Sequence, residues 1–470
     1  METTMPVVEV KSRSKWIVLA ISGAVALMLV YVFWFARSPG RARRLDRPVA
    51  VANDGLPRTP AQLNDWYEEP PAGQNAATFF SQGFTAMQRP KGSQANVPLL
   101  GRGQLPPLGA PLPASVKSAV SGFLDSNREA LQFFDQGASR DQSRYPVDLS
   151  QGFNTVLPHL REFKSAMQLL ELAAISHADA RDGELAAHDI LMALALLRSL
   201  EVEPALLSQS MRAANVSLAI SALEQAINRT RLSQESLRLL GQTLQKMEHT
   251  EANGEGFNRA MVAERAAWLS LLGSPQDLRA ALDVPGVDLP AEAHSLILAR
   301  LEKPAQLQPE RSFIEMTFQQ LLAARQAPFP ERLKTADLIR QRASEAADEK
   351  LPISVFLLTG LARPPAKEAA CLAQLRLALA AVALEQFRAA HANRYPDALS
   401  ELSPDFLPAA PADPFDGQSL RYRKESAGYV LSSIGPDLND DSGARLTRKD
   451  GAIVFAVVKL TSNLEGRPKS

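Results

Sequence analysis

The chain has 470 residues, 51 basic and 51 acidic side chains, one cysteine and an aromatic content of 6%. This length predicts about two to four domains, with enough buried surface to be stable without disulfides or metals. The even charge balance gives no argument for a nucleic-acid partner, and one cysteine excludes an intrachain disulfide or a cysteine metal cluster. Cys371 lies in an apolar helical pattern, which favours a buried, inert thiol over a reactive or intermolecular one.

An uncharged apolar run occupies residues 16–35, WIVLAISGAVALMLVYVFWF. Its length is what a helix needs to cross a membrane, and aromatic residues stand at both ends, as at a membrane interface. A cleaved signal peptide would have a shorter apolar core and small residues near its end. A buried core helix is the other alternative. We therefore expect an uncleaved, single-pass membrane anchor.

The charges that flank this run leave the orientation open. Three basic residues precede it and five follow it by residue 47, which by the positive-inside rule argues for a cytoplasmic body. Long domains, however, translocate largely regardless of charge. Residues 36–60 are rich in Arg, Pro and small residues, which is typical of a juxtamembrane linker.

The middle of the chain predicts helices. Residues 61–114 indicate a short helical segment followed by a proline-rich extended one, and residues 115–349 a series of helices with short loops. Such a series predicts stacked antiparallel pairs, as in an α-solenoid-like body or an irregular bundle, although no tetratricopeptide period is present. The run 190–197 is apolar nearly all round, so neighbouring helices should cover it. The predicted helices are 116–136, 153–178, 184–200, 205–229, 234–249, 255–272, 290–302, 310–326 and 330–348.

Five polar residues of this body lie close together in sequence: His177, Asp179, Asp182, His188 and Asp189. A metal site would need them to converge on one point. They fall on two predicted helices around a turn, and carboxylates suit helix ends, so we interpret them as polar helix-end residues.

No motif of a nucleophile, a phosphate-binding loop or a zinc protease is present, so we do not expect an enzyme. Arg-Tyr-Pro occurs at 144–146 and again at 394–396, but three residues do not establish an internal repeat.

The C-terminal part predicts a small α+β module at 367–460. Apolar residues at three- and four-residue spacing predict a helix over 367–391. Turn residues of the types Asp-Pro and Asp-Gly follow it, and then three β-prone runs at 419–424, 428–434 and 452–460. A helix packed on an antiparallel sheet would satisfy this pattern.

The motifs of this module follow a specific order: a long helix, RYP, a stretch rich in leucine and proline, DPFDGQSLRYR, GYVLSSIGPD and an acidic loop bounded by glycines. This order resembles the C-terminal portion of the major pseudopilin of type II secretion systems. The anchor is not joined to this helix and lacks the prepilin peptidase pattern, so we do not expect a pilus subunit. The complete layout also resembles a group of uncharacterised bacterial membrane-anchored helical proteins, a likeness that implies no activity.

The pseudopilin resemblance implies a calcium ion in the loop after the second strand. Asp437, Asn439, Asp440 and Asp441 supply hard oxygen atoms within this loop, and such atoms are the ligands that calcium prefers. A solvated acidic turn is the alternative. The loop is not an EF-hand, because it lacks that motif's turn glycine and its final glutamate.

The sequence therefore predicts a mainly α chain with an N-terminal transmembrane helix, a helical body and a small C-terminal module with an antiparallel sheet. The pseudopilin resemblance implies that the anchor lies in a bacterial cytoplasmic membrane, with the body outside it. We expect a non-enzymatic envelope protein, in which the helical scaffold presents the module to protein partners, with no small-molecule substrate identified. The alternatives are an accessory component of a type II secretion or pilus-like machine, and a hydrolase with a site between helices. The predicted segments are a tail (1–15), the anchor (16–35), the linker (36–60), the helical and proline-rich segments (61–114), the body (115–349), a connector (350–366), the module (367–460) and a final tail (461–470).

Overall fold

The computed structural model describes residues 55–282, 291–438 and 452–458. The predicted anchor, most of the linker and the final tail lie outside these ranges. The described residues form fifteen α-helices, which are, in chain order, α1 (Pro60–Trp66), α2 (Ala76–Ala86), α3 (Ala114–Ser126), α4 (Arg128–Ala138), α5 (Leu160–Asp179), α6 (Gly183–Arg198), α7 (Leu206–Arg229), α8 (Gln234–Asn253), α9 (Glu255–Leu271), α10 (Pro275–Leu282), α11 (Ala291–Leu301), α12 (Leu307–Ala324), α13 (Thr335–Asp348), α14 (Pro352–Thr359) and α15 (Pro364–Ala390).

Three strands complete the described elements: β1 (Arg421–Lys424), β2 (Gly428–Ser433) and β3 (Ile453–Val458). They form one antiparallel sheet in the order β1-β2-β3. The predicted class, mainly helical with a small antiparallel sheet, is confirmed.

The helix predicted over 116–136 is wrong, because the chain forms two helices there. Asn127 separates α3 from α4 with φ −106° and ψ 14°. Its buried side chain donates to the carbonyl of Phe123 and accepts from the amide of Gln88. An asparagine that bonds to nearby backbone in this way competes with the helical hydrogen bonds and favours a break.

Two other predicted helices begin too early. The helix predicted from 153 starts at Leu160, because a 3-10 turn at Leu149–Asn154 and then Pro158 precede it. The helix predicted from 330 starts at Thr335, after a 3-10 turn at Glu331–Lys334. The predicted connector, 350–366, contains a helix of its own, α14.

Helices α5, α6, α7, α8 and α15 form the centre of the main hydrophobic core. The apolar run in α6 is buried at every position from 190 to 197 except Leu191, and α4, α5, α7 and α8 surround it. The prediction that neighbours cover this helix is therefore confirmed.

Helix α15 comes from the C-terminal part of the sequence but lies in the same core as the body. It packs against α7 and α8 and also carries the sheet on β2 and β3. Within the described residues, the stretch Pro352–Ala390 is long and apolar enough to cross a membrane, with a mean hydropathy of 1.4, but 78% of its most apolar window is buried inside the protein. This burial is typical of a core helix.

The sheet packs one face on α15. Tyr429, Leu431, Phe455 and Val457 are at most 1% exposed and alternate along β2 and β3. Tyr429 pairs with Val457, and Leu431 with Phe455, across the two strands. The period of two puts these side chains on one face, as the predicted strands require.

Strand β3 is an edge strand whose outer backbone groups are paired by two side chains of α7. The amide of Ala456 donates to Glu224 Oε1 at 2.8 Å, and the amide of Val458 to Asn228 Oδ1 at 2.7 Å. Asn228 Nδ2 in turn donates to the carbonyl of Ala456 at 2.9 Å. These bonds occupy groups that an edge strand otherwise offers to another strand.

A buried ionic cluster joins α12 and the residues after it to α15. Glu368, fully buried, accepts from Arg325 and from Arg332, each at 2.8 Å. Gly254, between α8 and α9, has φ +70°, and a Cβ there would lie 2.5 Å from Arg332 Nη1. Cys371 lies nearby and is fully buried, as predicted, and burial raises the pKa of its thiol well above the usual value.

Candidate functional site

The predicted calcium loop is described only in its first half. The chain leaves β2 through Gly435, in the left-handed region at φ +77°, and reaches the exposed Asp437. Asn439, Asp440 and Asp441 lie outside the described residues, so the calcium site stays a prediction. Elsewhere in the described ranges, no group of three or more His, Cys, Asp or Glu is arranged to hold a metal ion.

Asp413, in the DPFDG motif, organises the start of this loop. Its buried carboxylate accepts from the amides of Phe415 and Ile434, from the hydroxyl of Ser433 and from Arg421 Nη1, at 2.8–3.1 Å. The turn predicted around it is confirmed by the bond from the amide of residue 417 to the Asp413 carbonyl at 2.8 Å. One carboxylate thus ties the DPFDG turn to the end of β2.

The five polar residues around 182 do not converge. His177 Nδ1 pairs with Asp189 Oδ2 at 2.6 Å, and this hydrogen bond raises the pKa of His177. His188 pairs instead with an aspartate of α4. Asp179 binds Lys117 and the backbone before α3, and Asp182 caps α6. Asp179 and Asp182 lie at helix ends, as expected, whereas Asp189 is buried within α6.

A buried polar cluster that sequence reasoning missed surrounds Glu203. This side chain is 0% exposed and accepts from the hydroxyls of Tyr67 and Ser208. His159 Nε2 lies 3.0 Å from its Oε1. His159 and Tyr67 are 44 and 136 residues from Glu203 along the chain, so no local motif could have indicated the cluster.

The first Arg-Tyr-Pro segment holds this cluster in place. The ring of Tyr145 stacks on that of His159, with centroids 4.1 Å apart and an interplanar angle of 9°. The Ser199 hydroxyl donates to the carbonyl of Leu196, so the 2.8 Å bond between Tyr145 and Ser199 has the tyrosine as donor.

The two Arg-Tyr-Pro motifs belong to longer, matching segments. Residues 144–150 read RYPVDLS and residues 394–400 read RYPDALS. In both, the leucine is buried and begins a 3-10 turn, at Leu149–Asn154 and at Leu399–Leu402. The longer pattern R-Y-P-x-x-L-S could therefore have indicated that both segments lead into a 3-10 turn.

Two cavities are relevant to binding. One, of about 770 Å³, lies between the proline-rich segment, α5, α7, α15 and β3, and is lined mainly by apolar side chains such as Leu105, Leu377 and Phe455. The other, of about 420 Å³, lies beside α2 and the start of α5, and His159 lines it. Cavities of this size with a few polar groups are suitable for small ligands.

Comparison of the chain with protein-family models, with curated proteins and with solved structures gave no match. Functional assignment therefore rests on the residues and contacts above.

Proposed function

We propose that this protein is a non-enzymatic, membrane-anchored envelope protein, in which a solenoid-like or irregular helical body carries a pseudopilin-like module as part of one scaffold. The observation that supports this most is the attachment of α15 and of strands β2 and β3 to the body. Helix α15 packs against α7 and α8, and Glu224 and Asn228 pair the outer backbone groups of β3. A module attached in this way is presented in a fixed position and is not free to assemble as a separate subunit.

The apolar run at 16–35 would anchor this scaffold as a single span in the cytoplasmic membrane, with the body outside. Protease treatment of spheroplasts tests the orientation. We expect external protease to degrade the body in intact spheroplasts, while a cytoplasmic marker protein stays whole. Protection of the body until the spheroplasts are lysed would overturn this orientation.

Protein partners would contact the exposed apolar side chains after the first Arg-Tyr-Pro segment. Phe153, near the end of the 3-10 turn, is 41% exposed, and Val156, just after the turn, is 74% exposed. A photo-crosslinking residue at 156 should give adducts in intact cells, while the same residue at the exposed polar position Gln136 should not. Pseudopilins among the adducts would favour the accessory role in a secretion machine. Equal labelling from both positions would contradict a partner surface here.

The module would hold calcium through Asp437 and the three following oxygen-bearing residues, Asn439, Asp440 and Asp441. Metal bound only by the folded state raises the melting temperature. We expect calcium to raise the melting temperature relative to chelator in the wild type but not in Asp437→Ala. Asp405→Ala, which removes an exposed carboxylate elsewhere, is the matched control. No difference between calcium and chelator in the wild type would end this part of the proposal.

A further inference from the structure

A third cavity, of about 600 Å³, lies between the end of α1, the end of α6 and the start of α9. Charged side chains of both signs line it: Arg198, Arg259, Glu68, Glu69, Asp141 and Glu201. The remaining lining side chains are two aromatic rings, two prolines, one valine and two uncharged polar groups. A cavity of this size is suitable for a small ligand.

Arg259 is already held by the protein. Its Nε donates to the carbonyl of Val202 at 2.9 Å, and its Nη2 to the carbonyl of Trp66 at 3.3 Å. The guanidinium also stacks on the indole ring of Trp66, 4.0 Å from the ring centroid. Arg259 therefore forms part of the wall of the cavity.

Arg198, the last residue of α6, has only distant partners among the described residues. Its Nη1 lies 3.6 Å from Oδ1 of Asp141, whose side chain is 94% exposed, and its Nη2 lies 3.5 Å from the carbonyl oxygen of Arg140. Both distances exceed those of a normal N–H···O hydrogen bond. A carboxylate that enters the cavity can accept two parallel hydrogen bonds from this guanidinium and replace the exposed aspartate.

Glu201, three positions further along, is a half-buried carboxylate that forms no ion pair with any residue that the structure describes. Burial raises the pKa of Glu201, and the charges of Arg212 and Arg198 and the hydroxyl of Thr250 oppose this rise. Both arginines pair with other carboxylates. Arg198 and Glu201 thus line one cavity without pairing with each other. A half-buried carboxylate in this position favours a ligand that supplies a cation.

We infer that this cavity binds an α-amino acid with a cationic side chain. The α-carboxylate of the ligand bonds to the guanidinium of Arg198, and its α-ammonium bonds to the carboxylate of Glu201. The four carboxylates of the lining exceed its guanidinium groups, even when Arg144, 3.6 Å from Glu69, is counted with them. This excess favours a second positive charge on the ligand.

The apolar side chains of the lining provide a surface for the methylene groups of such a ligand. The site shares no residue with the loop proposed to contact proteins or with the predicted calcium loop. It therefore adds a small-molecule ligand to the proposed scaffold and does not depend on that proposal.

The test titrates the full-length protein in a neutral detergent with L-lysine and with three analogues, by isothermal titration calorimetry at neutral pH. Cadaverine lacks the carboxylate, 6-aminohexanoate lacks the α-ammonium and norleucine lacks the side-chain ammonium. We expect cadaverine and 6-aminohexanoate each to bind at least about tenfold more weakly than lysine, because each loses a charge-assisted hydrogen bond. Norleucine loses only attraction to exposed carboxylates and should bind about threefold more weakly.

Two variants test the position of the ligand. Glu201→Gln keeps the shape of the side chain without its charge, so it should weaken lysine binding about tenfold and leave 6-aminohexanoate binding unchanged. Arg198→Gln should weaken lysine binding and leave cadaverine binding unchanged. Glu235→Gln, which removes an exposed carboxylate on α8 outside the cavity, is the matched control and should change neither.

No saturable heat with lysine in the wild type, or equal affinities for lysine, cadaverine and 6-aminohexanoate, would overturn the inference. A folded Glu201→Gln variant that binds lysine as tightly as the wild type would overturn it as well. The comparison of the four ligands needs no variant, so it decides the matter even where a variant fails to fold.

Discussion

Each of the two R-Y-P-x-x-L-S segments has a buried tyrosine with a carboxylate and a histidine nearby, but the polar groups of the two regions are paired differently. In the second segment, Tyr395 donates to Glu385, Glu385 pairs with Arg388, and the nearby His391 bonds to backbone. In the first, Tyr145 donates to a neutral serine, and the histidine stacked on it has one unpaired nitrogen.

The two regions thus differ in how completely their buried polar groups are paired. Buried polar groups in a folded protein normally have partners, and an unpaired one calls for an explanation. The second region is a satisfied charged cluster that stabilises the end of α15. The first leaves one buried ring nitrogen of His159 without a described hydrogen-bond partner.

The largest effect is expected from removing the carboxylate of the second region. Glu385→Ala leaves the mostly buried guanidinium of Arg388 without its ion-pair partner, and should lower the free energy of unfolding by about 3 kcal/mol. Glu203→Ala, the corresponding change in the first region, removes the partner of two hydroxyls and of His159 Nε2, and should cost about 2 kcal/mol. Urea unfolding of both variants measures the difference. A larger loss for Glu203→Ala would break the comparison.

Removing the hydroxyl of Tyr395 or of Tyr145 should lower the free energy of unfolding by different, smaller amounts. Tyr395→Phe removes a 2.6 Å hydrogen bond to a carboxylate, worth about 2 kcal/mol, whereas Tyr145→Phe removes a bond to a neutral hydroxyl, worth about 1 kcal/mol. The same urea unfolding at neutral pH compares them. Equal losses would mean that the carboxylate adds nothing to the second bond.

At alkaline pH the two tyrosines should behave alike. Burial raises the pKa of both Tyr145 and Tyr395, so the folded protein keeps phenolic protons that the unfolded chain releases above pH about 10. Stability should therefore fall as pH rises above 10, by up to about 1.4 kcal/mol per pH unit for each tyrosine. Each Tyr→Phe variant should lose one such contribution, measured as the slope of unfolding free energy between pH 10 and 11. An unchanged slope would show that the tyrosine already ionises in the folded protein.

The smallest effect is expected at His391. Its ring is exposed and its one described hydrogen bond is to a backbone carbonyl of its own helix, so His391→Gln should change stability by about 0.5 kcal/mol or less. Thermal melting beside the wild type measures this. A loss above about 1 kcal/mol would show that its stack on Phe387 matters more than the contacts indicate.

Sequence patterns predicted the helical class, the three strands and the turn at Asp413, because each rests on local periodicity or turn chemistry. Helix α6 was predicted as 184–200 and extends over Gly183–Arg198. The break at Asn127 was missed because its side chain accepts a hydrogen bond from the amide of Gln88, which is 39 residues away in sequence. A local helical pattern does not show such a contact.

The cluster around Glu203 was missed because most of its members are even farther apart in sequence. Tyr67 and His159 are far from Glu203 in sequence, and only the packed fold brings them to this carboxylate. Both occurrences of Arg-Tyr-Pro were visible in the sequence. Only the structure showed that a buried tyrosine and a following 3-10 turn are common to both.

The pairing of β3 with α7 also constrains how the chain is made. Glu224 and Ala456 are 232 positions apart, so β3 completes a surface formed by residues synthesised much earlier. Contacts between distant residues slow folding, because the intervening chain must be ordered before they form. Until α15 and β3 emerge, the apolar faces of α7 and α8 have no cover from this end of the chain. We therefore expect a chain that stops before Pro364 to expose apolar surface and to aggregate. Folding without aggregation during synthesis would then require α15 and β3.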